Sequence, residues 1–157
     1  MFRLDSEAAL RQAFRPKDRD WVTPSAEMKL PMLVRGYFAW THPAGGRVFL
    51  VFATPRGVPT GILFETNSGG LSVPQMCDWC HFSGNGARVG LLTARLNAKK
   101  RVGLHVCSDL SCRQKLEDEA DRSGRSVIPA IEKLVEKMGR FASETLKIDL
   151  MGADRLA

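Results

Sequence analysis

The sequence predicts an α+β fold, a small antiparallel β-meander packed with a four-cysteine treble-clef zinc finger and a C-terminal amphipathic helix. Three observations carry this prediction. All four cysteines fall in one stretch, as Cys77-x2-Cys80 followed a hairpin's length later by Cys107-x4-Cys112. Aromatic and aliphatic runs broken by Pro/Gly turns occupy residues 34–66, the pattern of short strands. Residues 126–147 carry apolar side chains at helical spacing.

At 157 residues the chain can bury one sizeable core, so one domain over 1–157 is expected. Within it the expected parts are a helix and extended segment (1–33), the meander (34–66), the finger (77–122) and the last helix (126–147). Hydrophobic residues make up 44% and charged residues 25%, which places the chain among ordinary globular proteins. The formal charge of +6 favours an acidic protein or a nucleic acid as partner without choosing between them. A zinc ion on four thiolates carries about two negative charges and would make the loaded protein less basic. The first residues lack the basic region and apolar core of a secretory signal, and the longest apolar run, 48–53, is far short of a membrane span. The expected location is the cytoplasm, where paired cysteines bind metal or do redox chemistry more often than they form disulfides.

Taking the elements in order, residues 6–14 read as a short amphipathic helix. Ser6 caps it, Leu10, Ala13 and Phe14 share a face, and Pro16 ends it by forcing Arg15 out of helical conformation. Residues 17–31, with Pro24 and Pro31, are expected to be extended, with Trp21 and Met28 tucked onto the core. Three strands follow. Residues 36–40 end at the turn 42–46, and the nearly unbroken apolar run 47–54 suits a strand covered on both faces. After a Pro55-Arg56-Gly57 turn, residues 60–66 complete the meander, with Phe38, Phe49 and Phe52 in the core. Asn67 to Gly70 marks an element boundary. In the last helix Val127, Ile131, Leu134, Met138 and Phe141 line one face, and Pro129 sits in the first turn, where its missing N–H has no partner to lose. The tail after Asp149 is expected to fray.

Between the cysteine pairs, 88–96 and 101–106 read as two strands joined by a turn at 97–100. Beyond Cys107, Ser108 or Asp109 can cap a helix running to about residue 122, which places Cys112 in its first turn, where free N–H groups and the helix dipole favour a thiolate. A knuckle, a hairpin and a ligand from a helix start are the outline of a treble clef. Four thiolates at about 2.3 Å from a zinc ion leave no open position, so the site Cys77, Cys80, Cys107 and Cys112 is expected to be structural. The Cys77-x-x-Cys80-His81 string also fits c-type haem attachment, but that needs export and leaves two cysteines idle. A thioredoxin-like pair would need a helix start at Cys77, and a turn at 81–86 follows instead. Iron on the same thiolates stays open as an alternative.

Nothing in the chain forms an acid–base or nucleophile constellation. The motifs of hydrolytic zinc sites are missing, His105 is a lone candidate on a strand, His81 reads as a neighbour of the site or a surface residue, and His42 sits in a turn. The reading is therefore a binding protein and not an enzyme.

The segments Cys-Asp-Trp-Cys-His-Phe-Ser-Gly at 77–84, Val-Gly-Leu-Leu-Thr-Ala-Arg at 89–95 and Val-Cys-Ser-Asp-Leu-Ser-Cys-Arg at 106–113 resemble the treble-clef domain of the elongation factor G-binding proteins, the C-terminal half of FusB-type fusidic acid resistance proteins. The aromatic meander resembles the strands leading into that domain. The resemblance implies zinc on the four cysteines and binding to translation elongation factor G, in the resistance proteins with its release from stalled ribosomes. Resistance proteins also carry an N-terminal helical bundle. One short helix is expected here instead, which separates drug resistance from factor binding. The candidate contact surface is Trp79 and Phe82 beside the knuckle, with Arg95, Lys99, Lys100 and Arg101 on the hairpin tip, aromatic anchors with a basic rim suited to an acidic protein. Trp79 is equally able to cover the metal site as core, and the lysines to be a solvated turn. The alternative is a zinc finger that sets the same tip on ribosomal RNA phosphates, with few aromatic platforms to help it.

Overall fold

The computed structural model describes residues 1–54, 56–66, 74–84, 88–148 and 150. The strands β3 (Tyr37–Thr41), β4 (Arg47–Ala53) and β5 (Pro59–Thr66) form the expected meander. A short strand β1 (Phe2–Leu4), the helix α1 (Glu7–Gln12) and a strand β2 (Met32–Val34) precede it. The finger comprises β6 (Gln75–Met76), β7 (Ser83–Gly84), the hairpin β8 (Val89–Arg95) and β9 (Arg101–Cys107), and α2 (Cys112–Ser123). The last helix, α3 (Ile128–Arg140), runs into a π-helical turn over Phe141–Thr145. The expected boundary at Asn67 to Gly70, the turn residues Pro55, Asn85 and Gly86, and the tail at 149 and 151–157 lie outside the described residues.

Meander and hairpin are one sheet. The order β3-β4-β5-β8-β9 is antiparallel throughout, and β5 joins β8 through the pairs Glu65–Thr93 and Thr66–Leu92. The hydrophobic run in β4 has the reason expected of it, since both faces of its strand are covered. Val48, Leu50 and Phe52 point with Ile62 and Phe64 of β5 into a core shared with α3 and the cysteines. Phe49, Val51 and Leu63 point the other way, into a second core with Phe2, Leu4, Leu10, Phe14 and Trp40. Period-2 alternation in a strand thus feeds two separate layers.

The N-terminal layer is built from α1 and the β1–β2 pair, in which Phe2 opposes Val34. Ser6 caps α1 as expected, its hydroxyl accepting from the Ala9 N–H at 3.1 Å. The helix then delivers Phe14 onto β5, where a Cβ on Gly61 would lie 2.6 Å from the Phe14 ring and only glycine fits. Phe14, Trp40 and Phe49 meet edge-on and stacked at centroid distances of 5.0–6.3 Å.

One expectation fails in this layer, which also contains the unexpected strand β1. Trp21 does not tuck onto the core: it is 52% exposed, because Val22 beside it takes the buried position and the chain is held there by Trp40, whose indole donates to the Thr23 carbonyl at 2.8 Å. Met28 does pack against this core.

Helix α3 buries Leu134 and Met138 as expected, followed by Phe141 and Ala142, while Val127 and Ile131 are half-buried. It is shorter than the expected 126–147, because the chain widens into the π turn from Phe141. No helix among the described residues is long and apolar enough to cross a membrane.

Candidate metal centre

Each cysteine is placed by a different local device. Cys77 and Cys80 lie in the loop between β6 and β7, which the pair Met76–Ser83 closes at its base. Inside the loop the Cys77 N–H donates to the Phe82 carbonyl at 2.8 Å and the His81 N–H to the Cys77 carbonyl at 2.9 Å, with His81 at φ +64 to complete the reversal. Cys107 ends β9 and Cys112 begins α2, so the four residues between them turn the chain from strand to helix. That turn includes Leu110 at φ +56. The expected helix start at Leu110, capped by Ser108 or Asp109, is displaced. The helix begins at Cys112, Asp109 accepts the Ser111 N–H at 3.1 Å, and the Arg113 N–H donates to the Tyr37 hydroxyl at 2.9 Å. That hydroxyl donates in turn to the Leu110 carbonyl at 2.7 Å. Burial pushes the Tyr37 phenol above its usual range, so it remains the neutral donor and acceptor this position needs.

The four sulfurs converge to within 4.8 Å of one another. Cys77 Sγ lies 3.7 Å from Cys112 Sγ, and Cys80 Sγ lies 3.5 Å from Cys107 Sγ. A regular tetrahedron with metal–sulfur bonds of about 2.3 Å has sulfurs about 3.8 Å apart, so the set fits a tetrahedral cation with little movement. Cys77, Cys107 and Cys112 are buried and Cys80 is half-buried, and four sulfurs complete a tetrahedral set, as in a closed structural site.

The thiols share their protons as one group. Bonds from Cys107, Cys112 and Cys80 hold the Cys77 thiol well below its usual range, and the bond from Cys107 brings Cys80 down to about 7. Contacts with Cys107, Cys77 and Cys80, together with burial, push Cys112 far up. Four crowded sulfurs cannot all ionise without a cation among them. With one, all four are thiolates and the cluster carries excess negative charge, which the chain answers locally. Lys115, one turn into α2, donates to Cys107 Sγ at 2.9 Å, and the Trp79 and Cys80 N–H groups donate to Cys77 Sγ at 3.4 Å. Partial burial pulls the Lys115 pKa down, but the hydrogen bond and charge of the Cys107 sulfur outweigh it, and the net shift is upward. Lys115 is a partner of the site that sequence reasoning missed; its signal was a cation at i+3 from a ligand on a helix start.

The expected contact residues do not form one surface. Trp79 is buried at 6% exposure, its ring edge-on to Phe64 and Phe141, and so belongs to the core and offers no anchor. Lys137 pins it from above, donating to the Trp79 carbonyl at 3.0 Å. Phe82 is half-buried beside the cysteines with Lys115 and Arg88 over its ring. Arg95, Lys99, Lys100 and Arg101 are exposed at the far end of the hairpin, about 20 Å away along seven-residue strands. Arg95 and Arg101 both reach Glu65, at 3.7 and 2.8 Å. His105 lies exposed on β9, and His81 Nε2 sits 3.3 Å from Lys137 Nζ.

The profile of one protein family, the FBP C-terminal treble-clef zinc-finger, matches residues 7–145. Among solved structures, that of the fusidic acid resistance protein FusC is similar, with a TM-score of 0.50 and 19% identity over 78% of this chain. The chain spans 56% of the FusC chain, so the likeness is one of fold over part of that protein. No curated protein matches.

Proposed function

Since the chain belongs to the FBP C-terminal treble-clef zinc-finger family, we propose that it is a zinc-stabilised module that binds translation elongation factor G in the cytoplasm, free or on the ribosome. The observation that carries the reading is a closed tetrathiolate cluster inside that family's fold. Cys77, Cys80, Cys107 and Cys112 are its zinc ligands, and the ion works as a brace. It ties the β6–β7 loop to the end of β9 and the start of α2, and so sets the direction of the hairpin. The residues that meet the factor are Phe82 at the cluster and Arg95, Lys99, Lys100 and Arg101 at the tip, basic groups suited to an acidic protein surface. Release of the factor from stalled ribosomes, which the resemblance implies for the resistance proteins, is not required by this reading.

The test is capture of purified elongation factor G by the tagged chain, in parallel with capture of ribosomal RNA. Enrichment of the factor, lost on metal removal, is the expected result. Enrichment of RNA with no factor would replace this function with nucleic-acid binding, which should then weaken steeply with salt.

A further inference from the structure

We propose that a basic groove on the sheet face opposite the cysteines docks an acidic segment of a protein partner, with Trp21 as its aromatic contact. The groove, of about 200 Å³, lies where the N-terminal layer stops and the hairpin continues alone. Lys17, Trp21, Arg47, Glu65, Arg95 and Arg101 line it. Arg47 and Glu65 are paired across β4 and β5 on the same face as Phe49 and Leu63, which fixes the groove to the side away from the metal.

Its charge is unbalanced. Among the described residues, four cations, Lys17, Arg47, Arg95 and Arg101, line it against two carboxylates: Glu65, already shared by Arg95 and Arg101, and Asp18, which Arg15 holds at 2.9 Å. Lys99 and Lys100 stand exposed at the adjoining tip. The groove is also held in shape, because Lys17 donates to the Leu96 carbonyl at 3.3 Å and so ties the N-terminal segment to the hairpin tip. Arg47 lies over the Trp21 ring at 4.6 Å, which orients an indole that is otherwise half in solvent. An exposed tryptophan among cations is the aromatic-plus-basic surface that the sequence placed on Trp79, and it is found here instead.

Carboxylates fit better than a nucleic acid. Glu65 between Arg95 and Arg101 already shows the geometry by which these guanidiniums take a carboxylate. Arg47 occupies a face of Trp21 where a base would stack, no second aromatic lines the groove, and its volume suits a side chain or two. The proposal rests on the reading above only for the partner's identity, and its test separates the two.

The full chain is titrated with fluorescein-labelled decaglutamate and with labelled U10 RNA at the same ionic strength, following anisotropy and tryptophan emission. Trp40 and Trp79 are buried, so emission from Trp21 reports on the groove. Decaglutamate is expected to bind and to change that emission. Trp21→Ala and Arg47→Gln are each expected to weaken binding at least fivefold, and Lys133→Gln, exposed on α3, to leave it unchanged. Equal binding by wild type and both groove variants, or U10 binding more tightly than decaglutamate through the same residues, overturns the proposal. The same variants are then measured against elongation factor G. A tenfold loss extends the groove to that partner. Decaglutamate binding that the groove variants weaken, in a chain that does not bind the factor, leaves the groove standing and removes the function proposed above.

Discussion

The two layers on either face of the five-stranded sheet are held by different means. On one face a metal-sized cluster of four sulfurs pins a loop, a strand end and a helix start, and α3 packs beside it. On the other, α1 and the β1–β2 pair are held mainly by apolar and aromatic packing, with Phe14, Trp40 and Phe49 in mutual contact and the Gly61 N–H donating to the Ala13 carbonyl at 2.8 Å. The difference follows from what each region can bury. The N-terminal layer places large side chains at zero or near-zero exposure, whereas α2 fully buries only Cys112, packs Leu116 partly against the core and is otherwise mostly polar. A helix so poor in apolar surface has little hydrophobic reason to stay. In the proposed function the cation supplies what its side chains do not.

The largest expected effect breaks the metal side. Cys112→Ser removes the proposed ligand that stands at the start of α2. Because metal affinity becomes folding free energy in such sites, on the order of 10 kcal/mol for zinc-finger peptides, the variant should lose its zinc and the finger its cooperative melting. Metal analysis with thermal denaturation followed by circular dichroism checks this. A full equivalent of zinc at unchanged melting temperature would remove Cys112 from the ligand set.

Phe49→Ala breaks the other side. The ring is fully buried against Trp40 and Phe14, and its loss should cost about 3–5 kcal/mol in a denaturant titration. The cost should be the same whether or not zinc is in excess, which separates the packed layer from the braced one.

Much of this architecture was legible in the sequence. Two cysteine pairs with a hairpin pattern between them determine the treble clef almost alone, and the run from Val48 to Ala53 announces a strand covered on both faces. The aromatic assignments were the part that was not. Trp79 and Trp21 each sit in polar, irregular sequence, and what buries one and exposes the other depends on distant partners, Phe64 and Phe141 in the first case and Trp40, which holds the chain at Thr23, in the second. The cap of α2 was illegible for the same reason, since Tyr37 reaches it across more than seventy positions. The β1–β2 pair is three residues per strand, too short for an alternation to show. The joining of meander and hairpin through β5 and β8 leaves no mark in either strand's own pattern.

Smaller effects sharpen the comparison. Lys115→Met keeps the length of the side chain and removes the charge beside Cys107. Loss of such a supporting partner typically lowers metal affinity 10-fold or more, and the variant should release zinc to a chelator correspondingly faster without losing its fold at saturating zinc. Tyr37→Phe deletes the hydroxyl that links the Leu110 carbonyl to the Arg113 N–H. It should lower stability by about 1–2 kcal/mol and leave metal content intact, read from thermal melts and metal analysis on the same sample.

Hydrogen exchange before and after zinc removal tests the central claim most directly. With the ion gone, amides of the cysteine loop and of α2 should exchange rapidly, while β4, packed between both cores, should stay protected. Unchanged protection of α2 after complete removal of the metal would contradict the brace, and show that packing alone holds the finger.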